Sequence, residues 1–180
     1  ERMGGKGKVF TQDIGKDTFF YYWQPFPAES VAKNLPKSLV IYYDISDSMK
    51  RRDTVREFEL LSAYLAKLDG PMVTLVPFCN ELHEARQFSG SADKIVADIQ
   101  AFVTPLGFDG ATNLGYDFAT LFPADEVIVM TDGLGNWDDS LASEKMAARR
   151  PVQPRVYTIN SCASANHGWL DKTARLNGGQ

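Results

Sequence analysis

Two unbroken apolar runs, each stopping at or one residue short of an aspartate, constrain this chain more than any other feature. Leu39-Val40-Ile41-Tyr42-Tyr43 runs into Asp44, and Val127-Ile128-Val129-Met130 runs through Thr131 into Asp132. A strand with one wet face alternates apolar and polar side chains. A strand that does not alternate is covered on both faces, as in a parallel sheet flanked by helices. Met72 to Phe78 and Arg155 to Ile159 read as further strands. Between them the period changes. Thr54 to Lys67 carries Val55, Phe58, Leu61, Leu65 and Leu68 at helical spacing, with Asp53 as N-cap and Gly70-Pro71 as stop. Ser91 opens a helix with Ile95, Ile99, Phe102 and Val103; a short helix places Leu114, Phe118, Leu121 and Phe122 on one side; another spans 140–149; Trp169, Leu170 and Leu176 mark a last one. Leu82 to Phe88, of mixed polarity behind an Asn80-Glu81 turn, predicts an antiparallel edge strand. The sum is an α/β fold: an open, doubly wound, mainly parallel sheet with helices on both faces and one antiparallel edge.

Composition narrows the partners. A net charge of −4 speaks against nucleic acid, whose phosphates call for a basic face. No apolar run approaches membrane-spanning length, so this segment is not expected to insert in a bilayer. Cys79 and Cys162 come after strands that need not be neighbours, so free thiols are expected, and the redox compartment stays open. Residues 1–37 read as a linker or the tail of a preceding domain. Within them Thr18-Phe19-Phe20-Tyr21-Tyr22-Trp23 is β-prone, and Pro25, Pro27 and Pro36 break up the run to Lys37. Residues 38–180 form the domain. With Glu1 first, Gly178-Gly179-Gln180 last and no signal-like segment, the chain reads as part of a larger polypeptide.

Open sheets bind ligands at the carboxyl ends of their strands, where strand order reverses. Three polar clusters fall there: Asp44-Ile45-Ser46-Asp47-Ser48, the loop Gly107-Phe108-Asp109-Gly110-Ala111-Thr112-Asn113, and Thr131-Asp132-Gly133. Asp44, Ser46, Ser48, Thr112 and Asp132 are all hard oxygen donors. Such a set suits Mg²⁺, Mn²⁺ or Ca²⁺ and is wrong for zinc or copper. Alternation lets Asp44, Ser46 and Ser48 converge if the chain stays extended, and Gly110 and Gly133 permit close approach. Either aspartate alone is as well explained by a turn or a helix cap; the joint set carries the metal reading. His83 and His167 lie in no metal-ligating cluster, and Arg51-Arg52 reads as surface charge.

Asp-x-Ser-x-Ser closing a buried strand, a Gly-x-Thr-Asn loop and an apolar strand ending Thr-Asp-Gly together resemble the metal-ion-dependent adhesion site of von Willebrand factor A domains, from about Lys37 onward. That resemblance implies a Rossmann-like fold and hydroxyl ligation by Ser46, Ser48 and Thr112. It implies that Asp44 and Asp132 bind the ion directly or through water, and that a partner protein's Asp or Glu completes the shell. It also implies an extracytoplasmic location and, after Gly179-Gln180, the place where the family often continues into another strand, an edge that is either missing here or covered by Phe19 to Trp23. Asp47 departs from the pattern, standing where the family usually has Gly. Phe26-Pro27-Ala28-Glu29 and Pro36-Lys37 further resemble bacterial inter-α-trypsin-inhibitor-like proteins, in which a VIT domain precedes the A domain.

Asp47, Asp109, Asn113, Asn136 and Trp137 flank the clusters and form a candidate rim for a partner. Asp109 reads first as a solvated loop residue and only second as part of the site, and Trp137 reads equally as a core anchor. Two other functions compete with a binding module. A Mg²⁺-dependent phosphohydrolase of haloacid dehalogenase type would use Asp44 as nucleophile, but Ser46 stands where its general acid/base is expected. A structural spacer would need no site at all.

Overall fold

The computed structural model describes residues 7–23, 34–137 and 154–179, and the chain divides into two units, 1–34 and 35–180. In the first, β1 (Lys8–Ile14) and β2 (Asp17–Trp23) pair antiparallel. The β-prone stretch at 18–23 lies within β2, and residues 8–14, for which the sequence suggested no strand, form its partner. Gly15 and Lys16 make a two-residue turn in which Gly15 alone takes a positive φ, 66°. A glycine at the first central position is what a two-residue hairpin of the type II′ kind requires.

The second unit holds β3 (Ser38–Asp44), α1 (Thr54–Leu65), β4 (Met72–Phe78), β5 (Arg86–Phe88), α2 (Ala92–Val103), β6 (Glu126–Met130), β7 (Arg155–Ile159) and α3 (His167–Leu176). Its sheet runs β5-β4-β3-β6-β7, with β5 antiparallel and the other pairings parallel. Burial on both faces explains the unbroken apolar runs. Leu39, Ile41, Tyr43, Val73 and Leu75 pack with Phe58 and Leu61 of α1 and Ile95 and Ile99 of α2. The alternate residues Val40, Tyr42, Val76 and Phe78 meet Leu114, Phe118 and, from α3, Trp169. Each helix is capped where an orphan amide needs an acceptor: Asp53 takes the Arg56 N–H at 3.1 Å, Ser91 that of Lys94 at 3.3 Å and Asn166 that of Trp169 at 3.0 Å.

The helix expected over Leu114 to Phe122 does not form. Of the four residues it would place on one side, Leu114 and Phe118 are buried and Phe122 is half-buried, but Leu121 is exposed. One turn exists, closed by Thr120 and Leu121 amides on the Asp117 carbonyl. The Asn113 side chain takes the Gly115 N–H at 2.9 Å, a local bond that competes with helix, and Pro123 bars continuation beyond Phe122. The helix expected over 140–149 and the Phe26 to Glu29 motif lie outside the described residues. β4 and β7 are separated by β3 and β6, and both cysteines are free thiols, as expected.

Candidate metal centre

Strand order reverses between β3 and β6, since β4 lies on one side of β3 and β6 on the other. Tyr43 pairs with Met130, so the next residues, Asp44 and Thr131, leave the sheet side by side. Thr131 Oγ1 donates to Asp44 Oδ2 at 2.6 Å, and the Ser46 amide donates to Asp44 Oδ1 at 2.9 Å. One residue on, Asp132 Oδ1 accepts the Leu134 amide at 2.9 Å.

The chain is still extended at Ser46 (φ −66°, ψ 165°) but not beyond it, which corrects the expected route by which Ser48 converges. Residues Asp47–Arg51 wind into a 3₁₀ helix, with the Met49 amide on the Ser46 carbonyl at 3.1 Å. The tight turn, rather than strand alternation, brings the Ser46 and Ser48 hydroxyls to 3.2 Å. Asp47 points its side chain to solvent and pairs with Lys50. Its charge is therefore directed away from Asp44.

The loop carrying Thr112 is stitched to both neighbours. The Asp109 amide bonds the Ile45 carbonyl at 2.9 Å, and the Asp47 amide bonds the Gly110 carbonyl at 3.1 Å. On the other side Asn136 brackets Thr112: its side-chain oxygen accepts the Thr112 amide at 2.8 Å, and its own amide donates back to the Thr112 carbonyl at 3.1 Å. The Trp137 amide shares that carbonyl at 3.3 Å. Three segments distant in sequence thus meet at one end of the sheet. Asp44, Ser46, Thr112, Thr131 and Asp132 are buried there, and Ser48 is open to solvent. Of the rim residues, Asp47, Asp109, Asn136 and Trp137 are exposed and Asn113 is half-buried, so Trp137 is not a core anchor.

Burial pushes the Asp44 carboxyl above the usual carboxylate range; hydrogen bonds from Ser46 and Thr131 oppose this, and the charge of Asp132 adds to it. Arg52 does not neutralise the pair. Its Nη1 donates to the Asp44 main-chain carbonyl at 2.5 Å while its Nε pairs with Glu57 Oε2 at 2.8 Å, both side chains 1% exposed. The buried Asp44 carboxylate, bonded by hydroxyls and feeling the charge of the buried Asp132, with the nearby guanidinium paired to Glu57, fits a hard divalent cation. Among the described residues no group of three or more His, Cys, Asp or Glu side chains could hold a metal. Hydroxyls would have to supply the rest of the shell.

Sequence reasoning missed three elements of this end of the sheet. Thr131 sat within the third cluster but had no assigned role. Arg52, expected as surface charge, is buried; its guanidinium lies 3.8 Å from the centre of the Tyr43 ring, and Glu57 is fixed in turn by Ser161 Oγ at 2.6 Å. Cys79 and His83 approach to 3.3 Å, a pairing whose i, i+4 spacing was the only available signal. A cavity of about 370 Å³ adjoins, walled by Asp53, Glu57, Leu60, Ile159, Ser161 and Cys162 among others.

No protein-family model and no curated protein matches the sequence. Solved structures do resemble the chain. A von Willebrand factor type A protein from Catenulispora acidiphila superposes with a TM-score of 0.57 at 15% identity, over 97% of this chain and 40% of that one. The fold is that of a von Willebrand factor A domain. Two further structures agree on it: BatB from Bacteroides thetaiotaomicron (TM-score 0.52, 17% identity, 79% of this chain and 87% of that one) and an aerotolerance-related membrane protein from Bacteroides fragilis (0.53, 14%, 79% and 88%). In the A-type fold seen here, the reversal point falls between Asp44 and Thr131.

Proposed function

We propose that this domain is a metal-dependent protein-binding module. Ser46, Ser48 and Thr112 offer hydroxyl oxygens to a Mg²⁺ ion, or to Mn²⁺ or Ca²⁺ in its place, and Asp44 and Asp132 bind it directly or through water. Such an ion, when bound, supplies a Lewis-acidic position for a carboxylate of the partner. The chain's own groups do the rest. Neutral hydroxyls leave the ion's charge partly uncompensated, the Thr131 hydroxyl orients Asp44, and Asn136 fixes the Thr112 loop. Asp47, Asp109, Asn113, Asn136 and Trp137 rim the surface that a partner's Asp or Glu would approach. The setting is a larger polypeptide placed outside the cytoplasm, with a VIT domain ahead of this one.

One observation carries the reading. The buried Asp44 carboxylate takes hydrogen bonds from the Ser46 and Thr131 side chains and feels the charge of a second buried carboxylate, Asp132, while the Arg52 guanidinium that touches that turn is engaged by Glu57. The resemblance in fold to A domains supports it at the level of architecture. A phosphohydrolase using Asp44 gains nothing from this geometry: the Ser46 hydroxyl contacts Ser48, and no carboxylate occupies the general acid/base position.

Isothermal titration with Mg²⁺ and Mn²⁺ tests the proposal. Wild type should give saturable heat that Asp44→Ala abolishes. No metal-dependent heat in the wild type sinks it. Turnover of p-nitrophenyl phosphate that vanishes in Asp44→Asn would move the assignment to the hydrolase.

A further inference from the structure

Thr112 differs from the other two hydroxyl donors in how it is held. The Ser46 and Ser48 hydroxyls lie 3.2 Å apart and contact each other. Among the described residues none bonds the Thr112 hydroxyl, so its place is set by the backbone that carries it. Both backbone groups of Thr112 are bonded, and both to the segment that follows β6. Asn136 Oδ1 accepts the Thr112 amide at 2.8 Å, the Asn136 amide donates to the Thr112 carbonyl at 3.1 Å, and the Trp137 amide joins it there at 3.3 Å. Asn136 thus addresses both sides of Thr112. Its side-chain oxygen stands where the carbonyl of a paired strand residue would stand.

The residues on either side of Thr112 are held elsewhere. The Asp109 amide bonds the Ile45 carbonyl at 2.9 Å, the Gly110 carbonyl accepts the Asp47 amide at 3.1 Å, and the Asn113 amide bonds the Cys79 carbonyl at 2.9 Å. Among the described residues, Asn136 is the only side chain on the Thr112 peptide groups. Thr112 is 2% exposed, so an amide deprived of that oxygen is a buried donor without an acceptor. The stretch that carries Asn136 also begins at Asp132, whose Oδ1 accepts the Leu134 amide at 2.9 Å. One short segment therefore holds a buried carboxylate at its start and the Thr112 backbone at its end.

We infer that Asn136 is a positioning residue: its side-chain oxygen and its own amide set where the Thr112 hydroxyl stands relative to Asp132, and so set how tightly the centre holds a divalent ion. The clamp on Thr112 stands on the hydrogen bonds alone; its effect on an ion rests on the metal reading above. Asn136 acts through Thr112 and needs no contact with the ion. The chemistry of the position is narrow. Asparagine and aspartate both put an acceptor oxygen at the end of the same short side chain, alanine has none, and glutamine carries its oxygen one methylene too far.

Amide hydrogen exchange, followed by NMR on the whole chain in EDTA, reads the clamp without any metal. In Asn136→Ala and in Asn136→Gln the Thr112 amide should exchange on the order of tenfold faster. The Asp109 and Asn113 amides, held by other carbonyls, should keep their wild-type rates. Asn136→Asp should restore slow exchange at Thr112. Melting curves in EDTA show that each variant folds, and the Gln variant, which keeps the bulk of the side chain, serves should the Ala variant fail. Mg²⁺ titration of the same proteins reads the consequence. Affinity should fall on the order of 10–100-fold in the Ala and Gln variants, the scale of a lost support to a ligand, and recover in the Asp variant. Slow Thr112 exchange in a folded Ala or Gln variant overturns the clamp, as does a quickening shared equally by Asp109 and Asn113. Fast exchange at Thr112 with unchanged Mg²⁺ affinity overturns the positioning role. A wild type that binds no Mg²⁺ removes the metal reading and the positioning role with it, while exchange still decides the clamp.

Discussion

Thr131 Oγ1 does two things at once, donating to the Asp44 carboxylate at 2.6 Å and accepting the Gly133 amide at 3.1 Å. Both bonds are buried, so removing the hydroxyl leaves an acceptor and a donor without partners. Thr131→Val keeps the shape and should cost about 1–3 kcal/mol in urea unfolding without metal. It should also weaken Mg²⁺ binding by about tenfold, as loss of a ligand-orienting group does. A variant that loses stability but binds Mg²⁺ as before would show that Thr131 does not orient Asp44. At this scale the places of Asp44 and Asp132 at the carboxyl ends of β3 and β6 were legible, because each closes or follows an apolar run. Thr131 was not, since nothing in a Thr-Asp-Gly string tells which hydroxyl turns inward. Arg52 was misread for a related reason. Two adjacent arginines look like surface, and only the fold reveals that one of them meets Glu57 beneath the Asp44 turn.

At the level of elements, that buried pair ties the first turn of α1 to the end of β3, and Ser161 extends the tie beyond β7. Removing one partner strands the other charge in the interior. Glu57→Ala should therefore lose about 3–5 kcal/mol in chemical denaturation, whereas Arg52→Met with Glu57→Leu should recover much of it. A double variant as unstable as the single one would mean that packing, not the stranded charge, sets the cost. The strands and the longer helices were readable from period and caps because burial on both faces imposes the pattern directly. The short segments were not. In the first unit, Gly15 between Ile14 and Lys16 was the hairpin signal, hidden by the glycines and lysines that precede it. Around 114–122 the apolar spacing was helical, but the Asn113 bond to Gly115 settled the local geometry first. The antiparallel edge was anticipated in kind, although β5 is shorter than the run that suggested it.

Across the whole molecule, two carboxylates pull the pH dependence of stability in opposite directions. Asp125 clamps the base of β3, accepting the Lys37 amide at 2.8 Å and the Ser38 amide at 2.9 Å, and these bonds hold its carboxyl below the usual range. A depressed folded value means stability that is present above the unfolded carboxylate value of about 4 and is lost as pH falls through the folded one. Asp44 is raised, chiefly by burial, so the metal-free fold holds its proton more tightly than the unfolded chain. Its contribution is greatest below about pH 4 and shrinks as pH rises through the shifted value. A divalent ion inverts the second trend, because binding requires the carboxylate and strengthens as the proton leaves. Melting curves from pH 4 to 7 should therefore decline with pH in EDTA and rise with pH in Mg²⁺. At Mg²⁺ a hundredfold above its dissociation constant the gain is about 2.7 kcal/mol, or roughly 5–10 °C for a chain of this size. Asp44→Asn should flatten both trends: its metal-free form should melt above the wild type at pH 7, since no charge is buried, and Mg²⁺ should add nothing. Parallel slopes in EDTA and Mg²⁺ would separate Asp44 from the ion altogether, whatever the fold resembles.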